Sequence, residues 1–284
     1  MSIKKTKTPS MNQKILIIIP IIAILIILVI VLLPQTTDSV SAQLVIDYGT
    51  VEIQHNNGAW EPATSGILLY QSDTIRTGEN TYASIILFES SIIRLDSNTQ
   101  VFIKELIQEA AATNVTIEQE TGRTWNTIQK ISGIDNYEVQ TPTTVASVRG
   151  TTFDVNVTGQ GVTNVSVIRG NVNVSKLENG TIIISIPVKG NESIVVDPKS
   201  SKPLKKDPVT KDEWIRRNLG EDDVLYQQIK SELYDRLEEY IPDLKDRYGM
   251  SDEELEILID GYLQGEIDLP PDTPDWIRDI IENP

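Results

Sequence analysis

The sequence predicts an all-β extracytoplasmic domain, preceded by a transmembrane helix and followed by an α-helical tail. Three patterns predict this architecture: an uncharged apolar run at 15–33, period-two alternation with turn residues over 44–197, and helical spacing of apolar residues from 210 onward. Alternation with period two is typical of strands, because successive side chains point to opposite faces. The β region fits a roll, a sandwich or a short solenoid of hairpins.

The apolar run near the N-terminus predicts a membrane anchor. It contains 19 residues without a charge, nearly all Ile, Leu or Val. At about 1.5 Å per residue, a helix of this length nearly spans a hydrocarbon core of roughly 30 Å. Four lysines precede the run and the first acidic residue, Asp38, follows it. The positive-inside rule therefore places a stub of residues 1–14 in the cytoplasm and the remainder outside.

A cleaved signal peptide is the alternative to this anchor, and it would also export the domain. The apolar part of a signal peptide usually has only about 7–15 residues, and the run at 15–33 is longer. We therefore favour an uncleaved transmembrane helix and a single-pass protein of the cell membrane.

Composition divides the exported chain into four segments. Residues 34–43 are polar and predict a spacer, and residues 44–197 hold the alternating strands. Prolines and lysines in 198–209 predict a stiff, exposed linker. Residues 210–284 are strongly acidic and carry the helical pattern.

Two capping boxes are predicted in the tail, Thr210 with Glu213 and Ser251 with Glu254. We interpret the acidic triplet 221–223 as charges that complement the positive end of a helix macrodipole. One face of the first tail helix is predicted to be apolar through Val224, Leu225, Ile229, Leu233, Leu237 and Ile241. A last short helix is predicted around 276–281.

Composition also argues against several classes of function. The 41 acidic residues outnumber 25 basic ones, which gives a net charge of -16 and opposes nucleic-acid binding. The absence of cysteine excludes disulfides, zinc-thiolate sites and cysteine nucleophiles. The single histidine, His55, is predicted at a hairpin tip, and acidic residues of the β region are predicted to be solvated surface charges. We therefore predict no catalytic residue, no cofactor and no metal site.

Several stretches of the β region occur in an order typical of one known family. They are residues 49–51, 58–60, 66–69, 72–78, 82–88, 92–95, 122–125, 137–142, 148–153 and 163–174. Residues 148–153 read Val-Arg-Gly-Thr-Thr-Phe. In this order they resemble the FecR domain family over about residues 45–176. The signature positions in this chain are Gly78, Arg149, Gly150, Thr151, Phe153 and Gly170.

The resemblance implies a β-rich domain outside the cytoplasm without catalytic activity. In the best-known members this domain senses an outer-membrane transporter and follows a cytoplasmic anti-sigma segment. The stub 1–14 is too short to fold as such a segment, so we do not expect sigma-factor regulation. We expect an anchored module that binds, senses or organises, with an unknown protein or cell-envelope partner. The alternatives are a carbohydrate-active surface enzyme and a purely structural surface glycoprotein.

Two glycines of the signature are predicted to form tight bends. Gly150 and Gly170 lie between alternating strands, where only glycine adopts positive φ cheaply. For Arg149 we favour an ion pair with a nearby carboxylate over a role in ligand binding.

Six sequons offer candidate N-glycosylation sites. Asn156 and Asn173 are predicted on the polar face of strands, from which a glycan could project. The alternative is that Asn, Ser and Thr are simply frequent at outward strand positions. The six asparagines are Asn114, Asn156, Asn164, Asn173, Asn179 and Asn191.

Overall fold

The computed structural model describes residues 42–88, 90–109, 112–263, 269, 273 and 278. The predicted stub 1–14 and transmembrane helix 15–33 lie outside the described residues, as does nearly all of the spacer 34–43 and most of the predicted helix at 276–281. Within the described ranges, no helix combines the length and apolarity needed to cross a membrane.

In the described part of the chain, seventeen strands form two sheets, and the first sheet contains nine of them. In spatial order these are β4 (Leu68–Leu69), β1 (Ala42–Tyr48), β6 (Tyr82–Leu87), β7 (Ser91–Leu95), β9 (Ala112–Ile128), β12 (Thr151–Val157), β13 (Thr163–Arg169), β16 (Glu192–Val196) and β17 (Lys206–Pro208). All neighbours in this sheet are antiparallel.

The second sheet contains the other eight strands and shares β9. In spatial order these are β3 (Trp60–Pro62), β2 (Val51–His55), β5 (Asp73–Thr77), β8 (Gln100–Glu109), β9, β10 (Asn136–Gln140), β11 (Thr144–Val148), β14 (Asn171–Glu178) and β15 (Thr181–Lys189). The pairing of β9 with β10 is parallel.

Strand β9 passes from one sheet to the other at Gly122. Residues before the glycine pair with β8 and β10, whereas Gly122 and those after it pair with β12 and β7. Gly122 has φ +89°, and a Cβ there would lie 2.3 Å from the Cα of Thr99. Only glycine fits this crossing, because any side chain would meet the backbone of Thr99 in a conformation that L-residues rarely adopt.

The two sheets share one hydrophobic core, which makes the domain a β-sandwich. Leu44 and Ile85 of the first sheet are fully buried together with Ile75 and Val174 of the second. The all-β prediction is confirmed, and the structure favours the sandwich among the three predicted architectures.

The predicted linker 198–209 contains a short strand. Residues of β17 pair antiparallel with β16, from Ile194 opposite Lys206 to Glu192 opposite Pro208. Lys206 and Pro208 are exposed, and a strand that contains proline is tolerated at the edge of a sheet. The interpretation of 206–208 as linker was therefore wrong.

Among the described residues, three helices follow the sandwich: α1 (Glu213–Leu237), α2 (Ile241–Tyr248) and α3 (Asp252–Leu263). The second predicted capping box is confirmed, because Glu254 N donates to Ser251 Oγ at 3.2 Å and Ser251 N donates to Glu254 Oε2 at 2.9 Å. The first was wrong: Asp212 caps α1, its Oδ1 accepting from Ile215 N at 2.9 Å. Asp212 directly precedes the helix, whereas Thr210 lies outside its first turn.

The helices build a small core of their own, separate from that of the sandwich. It consists of Ile229, Leu233, Leu237, Leu255, Ile259, Tyr262 and Leu263. The predicted apolar face of α1 is thus confirmed at Ile229, Leu233 and Leu237. Val224 was wrongly included, since it is 71% exposed. Val224 lies two residues after the buried Asp222, so its side chain points roughly 200° away around the helix.

Candidate functional site: the tail-docking face

Helix α1 packs on the outer surface of the first sheet, over five neighbouring strands. We name this surface the tail-docking face. Its residues are Tyr82, Arg94, Arg123, Trp125, Thr127, Asp154 and Arg169. Trp125 lies at its centre, because the register places it opposite Arg94 on β7 and opposite Asp154 on β12. Alternation turns the side chains on β6, β7, β9 and β12 away from the core and toward the helix. Arg169 follows a register shift between β12 and β13, and its side chain also reaches Asp222 of the helix.

A buried carboxylate of the helix is held by four groups of this face. Asp222 Oδ1 accepts from Arg94 Nη1 at 2.5 Å, and Oδ2 accepts from Trp125 Nε1 at 2.9 Å and Thr127 Oγ1 at 2.8 Å. Arg169 Nη2 lies 3.9 Å from Oδ2. The side chains of Asp222 and Arg94 are 1% and 5% exposed. The site therefore supplies the donors that a desolvated carboxylate requires.

A second set of contacts surrounds Tyr82, next to this carboxylate. The Tyr82 hydroxyl contacts Asn218 Oδ1 at 3.1 Å and Glu221 Oε2 at 2.5 Å, and Arg94 Nε lies 3.0 Å from Glu221 Oε2. The guanidinium of Arg217 lies 3.5 Å above the Tyr82 ring. Burial, followed by the hydrogen bond to Glu221, raises the pKa of Tyr82 far above its usual value. The phenol thus stays neutral and donates.

A third set joins the start of α1 to strands β9 and β12. Asp154 accepts from Arg123 Nε at 2.7 Å and Nη2 at 3.1 Å, and from Trp214 Nε1 at 2.9 Å. Arg123 Nη1 also donates to the capping residue Asp212 at 2.6 Å. Asp154 is fully buried, and this burial raises its pKa to about 6 although Arg123 and Trp214 oppose the shift.

A small apolar cluster separates the two carboxylate sites. Its buried members are Trp125, Ile168 and Ile215, with Val209, Trp214 and Leu219 partly buried around them. Ile215 is the only residue of α1 in the buried part of this cluster. Apolar, charged and amide groups therefore all hold this part of the helix on the sheet.

Both buried carboxylates are engaged by hydrogen-bond donors. Asp154 and Asp222 each accept from an arginine and a tryptophan, which occupies their lone pairs. Over the part of the chain that the structure describes, no group of three or more His, Cys, Asp or Glu residues could hold a metal ion. His55 ends strand β2, and its Nδ1 lies 2.7 Å from Asp73.

The signature residues lie at the bends where strands pass between the sheets. Gly150 (φ +66°) joins β11 to β12, and Gly170 (φ +78°) joins β13 to β14, as predicted. A Cβ on Gly170 would lie 3.0 Å from the carbonyl oxygen of Gly150, so the two bends touch. Thr151 Oγ1 donates to Asn171 O at 3.1 Å, and Phe153 is fully buried.

Two other signature positions lie apart from these bends. Gly78 joins β5 to β6, where its N–H donates to Thr50 O at 2.9 Å. The Arg149 side chain is 72% exposed, and Asp135 Oδ1 lies 3.9 Å from it. The predicted ion pair with a nearby carboxylate is present, and this distance and exposure describe a weak surface contact.

The six sequons differ in accessibility. Asn173, Asn179 and Asn191 are exposed, whereas Asn114, Asn156 and Asn164 are half-buried. The side-chain oxygen of Asn164 is buried and lacks a hydrogen-bond partner. The three exposed asparagines are more accessible for attachment of a glycan.

The burial of the two carboxylates was not predicted from the sequence. Asp222 was interpreted as a macrodipole charge, but α1 begins at Glu213, more than two turns earlier. Asp154 was included among solvated surface charges, but the tail covers it. One signal was present for Asp222: with Asn218 it lies on the helical face that continues to Ile229 and Leu233. Polar residues within an otherwise apolar face indicate a buried polar contact.

Residues 73–173 match the family model described as FecR protein. The chain carries a FecR-type segment. The segment contains every sheet residue of the tail-docking face, from Tyr82 to Arg169, whereas the helix that covers this face lies outside it. The predicted family is confirmed for this segment.

Two similar solved structures share one description, a "putative anti-sigma factor" from Parabacteroides distasonis ATCC 8503, determined at 1.65 and 2.50 Å resolution. Each is 19% identical in sequence, with a TM-score of 0.39. The match covers 48% of this chain and 59% of the solved chain, so this chain spans less than two thirds of the length of either structure. No curated protein matches the chain.

Proposed function

We propose that this chain is a membrane-anchored, extracytoplasmic FecR-type module that binds or senses a protein or envelope partner and is not an enzyme. The observation that supports this function best is the position of the tail-docking face. Its sheet residues all lie in the FecR-type segment, and they hold a helix through buried hydrogen bonds and ion pairs. A surface built to hold a helix in this way suits protein recognition.

The anchor is the second part of the proposal, and it is supported by the sequence. The uncharged run 15–33 follows four lysines, and the positive-inside rule then exports the sandwich. Exposed Asn173, Asn179 and Asn191 are consistent with a glycosylated cell-surface protein.

Limited proteolysis of intact cells tests the location. With an epitope tag after residue 284, we expect external protease to remove the tag while the cells remain sealed, with a cytoplasmic protein as the control. Protection of the tag in intact cells, with cleavage after lysis, would contradict export.

Affinity capture from solubilised membranes tests the binding role. We expect the intact chain to retain a partner and to show no turnover of glycan or ester substrates. Turnover that disappears in Asp154→Asn, with the fold preserved, would instead assign an enzymatic function to the buried carboxylate.

A further inference from the structure

The contact between helix α1 and the sheet is unusually polar for a permanent intramolecular contact. Asn218 and Asp222 are at most 1% exposed, yet both lie on the face of α1 that meets the sheet. Ion pairs that are removed from water contribute less to stability than apolar residues of the same volume, but they discriminate strongly among partners. The contact therefore favours selective recognition over maximal stability.

The sheet supplies a complete carboxylate site that does not depend on the tail. Arg94, Trp125 and Thr127 all belong to strands of the sandwich, and all three donate to Asp222. Their strands are held in register by pairing, Arg94 opposite Trp125 and Ile92 opposite Thr127. The donors would thus keep their positions if another carboxylate replaced Asp222.

The remainder of the tail has an apolar core of its own, and α3 also contacts residues 130–132 of the sandwich domain. The core of the tail joins the second half of α1, from Ile229 to Leu237, to helix α3. Gly220 lies within the docked part of α1, two residues before Asp222, and a Cβ there would meet nothing within 4 Å. Glycine in a helix interior lowers helix stability, so the helix is weakest beside Asp222.

From these observations we propose that the tail-docking face is a receptor site for an acidic helix. The segment Asp212–Asp222 occupies it as a tethered, displaceable ligand, which the acidic helix of a partner protein replaces. This inference rests on the proposed binding function and names the chemistry of the partner. The partner helix would carry a capping carboxylate for Arg123 and, ten residues later, a carboxylate for Arg94. A tryptophan between these two carboxylates would donate a hydrogen bond from its indole to Asp154.

Peptide exchange tests the proposal with the full chain in detergent. The probe is a fluorescein-labelled peptide with the sequence of residues 209–227, and binding is followed by fluorescence anisotropy. In the wild type the tethered tail competes at a high effective concentration. We expect the Asp222→Ala chain, whose own tail is weakened, to bind the probe at least about tenfold more tightly than the wild type.

Two variant peptides provide the matched comparison. Asp222→Asn in the peptide removes the buried carboxylate, whereas Asp223→Asn removes its exposed neighbour with the same change of charge. We expect the first to weaken binding at least about tenfold and the second to leave it unchanged. Equal affinity of the two peptides would overturn the proposal.

A second chain variant keeps the test valid if Asp222→Ala does not fold. Gly220→Pro breaks α1 and leaves every sheet residue intact, so it should also expose the face. Absence of saturable binding to a chain variant with native β circular dichroism would overturn the proposal. Dimerisation of the wild type without peptide binding would assign the face to a second copy, and would also overturn it. Exchange is measured on purified protein, so its failure is distinguishable from a failure of export or partner capture.

Discussion

At the residue scale, two desolvated carboxylates determine how the tail is held. Asp222 is bound by Arg94 and Trp125, and Asp154 by Arg123 and Trp214. Removing one member of a buried ion pair is far more costly than the net contribution of the pair, because the remaining charge stays buried without compensation. These positions should therefore respond strongly to conservative substitutions.

We expect Asp222→Asn to lower the free energy of unfolding by about 3 kcal/mol, because Arg94 would remain buried without its main counter-charge. Asp223→Asn, one residue further and exposed, should change the same quantity by less than about 0.5 kcal/mol. Urea unfolding followed by tryptophan fluorescence measures both variants. Similar losses for the two would show that the acidic triplet acts only through its summed charge.

Asp154 should make stability depend on pH. Its pKa is raised from 3.8 to about 6 by burial, so the folded chain binds this proton more tightly than the unfolded chain does. Its contribution to stability is therefore complete below pH 3.8 and is lost as the pH rises through about 6. Relative to Asp154→Asn, the wild type should gain up to about 3 kcal/mol between roughly pH 7.5 and pH 4.

Unfolding of both proteins in urea across this pH range provides the measurement. The neighbouring Asp212 does not interfere: burial alone would raise its pKa, but hydrogen bonds from Arg123 and Ile215 lower it below its usual value. Its titration thus lies below the range used. A difference between wild type and Asp154→Asn that stays constant with pH would contradict the account.

At the scale of elements, helix α1 combines two parts with different roles. Its first half meets the sheet through Ile215, Asn218 and Asp222, and its second half packs in the tail core. Gly220 lies in an exposed position within the first half, between Asn218 and Asp222. The glycine reduces helix propensity beside Asp222 without any steric requirement for it.

Gly220→Ala should therefore stabilise the chain, by about 0.5–1 kcal/mol, through higher helix propensity. Thermal unfolding measured by circular dichroism at 222 nm checks this, since helix contributes most of that signal. In the exchange experiment the same variant should bind the labelled peptide more weakly than the wild type. A loss of stability would mean that Gly220 has a steric role.

Unlike Gly220, Gly122 of strand β9 is sterically required to be glycine. There φ is +89° and a Cβ would meet the backbone of Thr99 at 2.3 Å. Gly122→Ala should lower the free energy of unfolding by at least about 2 kcal/mol, because neither the strand nor its neighbour can move without disturbing both sheets. Gly180→Ala is the control: it also has positive φ, but nothing lies within 4 Å. If the two variants lose equal stability, strain in φ alone explains the effect.

At the scale of the whole molecule, the sequence predicted the local periodicities and missed the contacts between distant segments. Alternation in Phe153–Val157 predicts the inward face, and all three of its hydrophobic residues are buried. Nothing in that pattern reveals that the outward Asp154 is covered by a helix that starts about 60 residues later. Periodicity reports which face of an element is buried in the core, but it does not report a second layer on the other face.

The FecR-type segment shows the same difference between local features, which were predicted, and contacts between distant strands, which were not. Gly150 and Gly170 were predicted as bends from local chemistry alone, and both adopt positive φ. The role of Arg94 and Trp125 required knowledge that β7 and β9 are neighbours, which depends on strand order. Sequence patterns fix neither strand order nor helix docking, because both depend on long-range pairing.

We infer that Asp222 couples the tail to the FecR-type segment through Arg94. A double-mutant cycle of Arg94→Met and Asp222→Asn tests it directly, with free energies of unfolding measured in urea on residues 39–284, which form one compact unit. We expect a coupling energy of at least about 2 kcal/mol, since either single variant leaves a buried polar partner uncompensated and the double variant does not. Additivity within about 0.5 kcal/mol would show that the two side chains do not act as a pair, and would contradict the account.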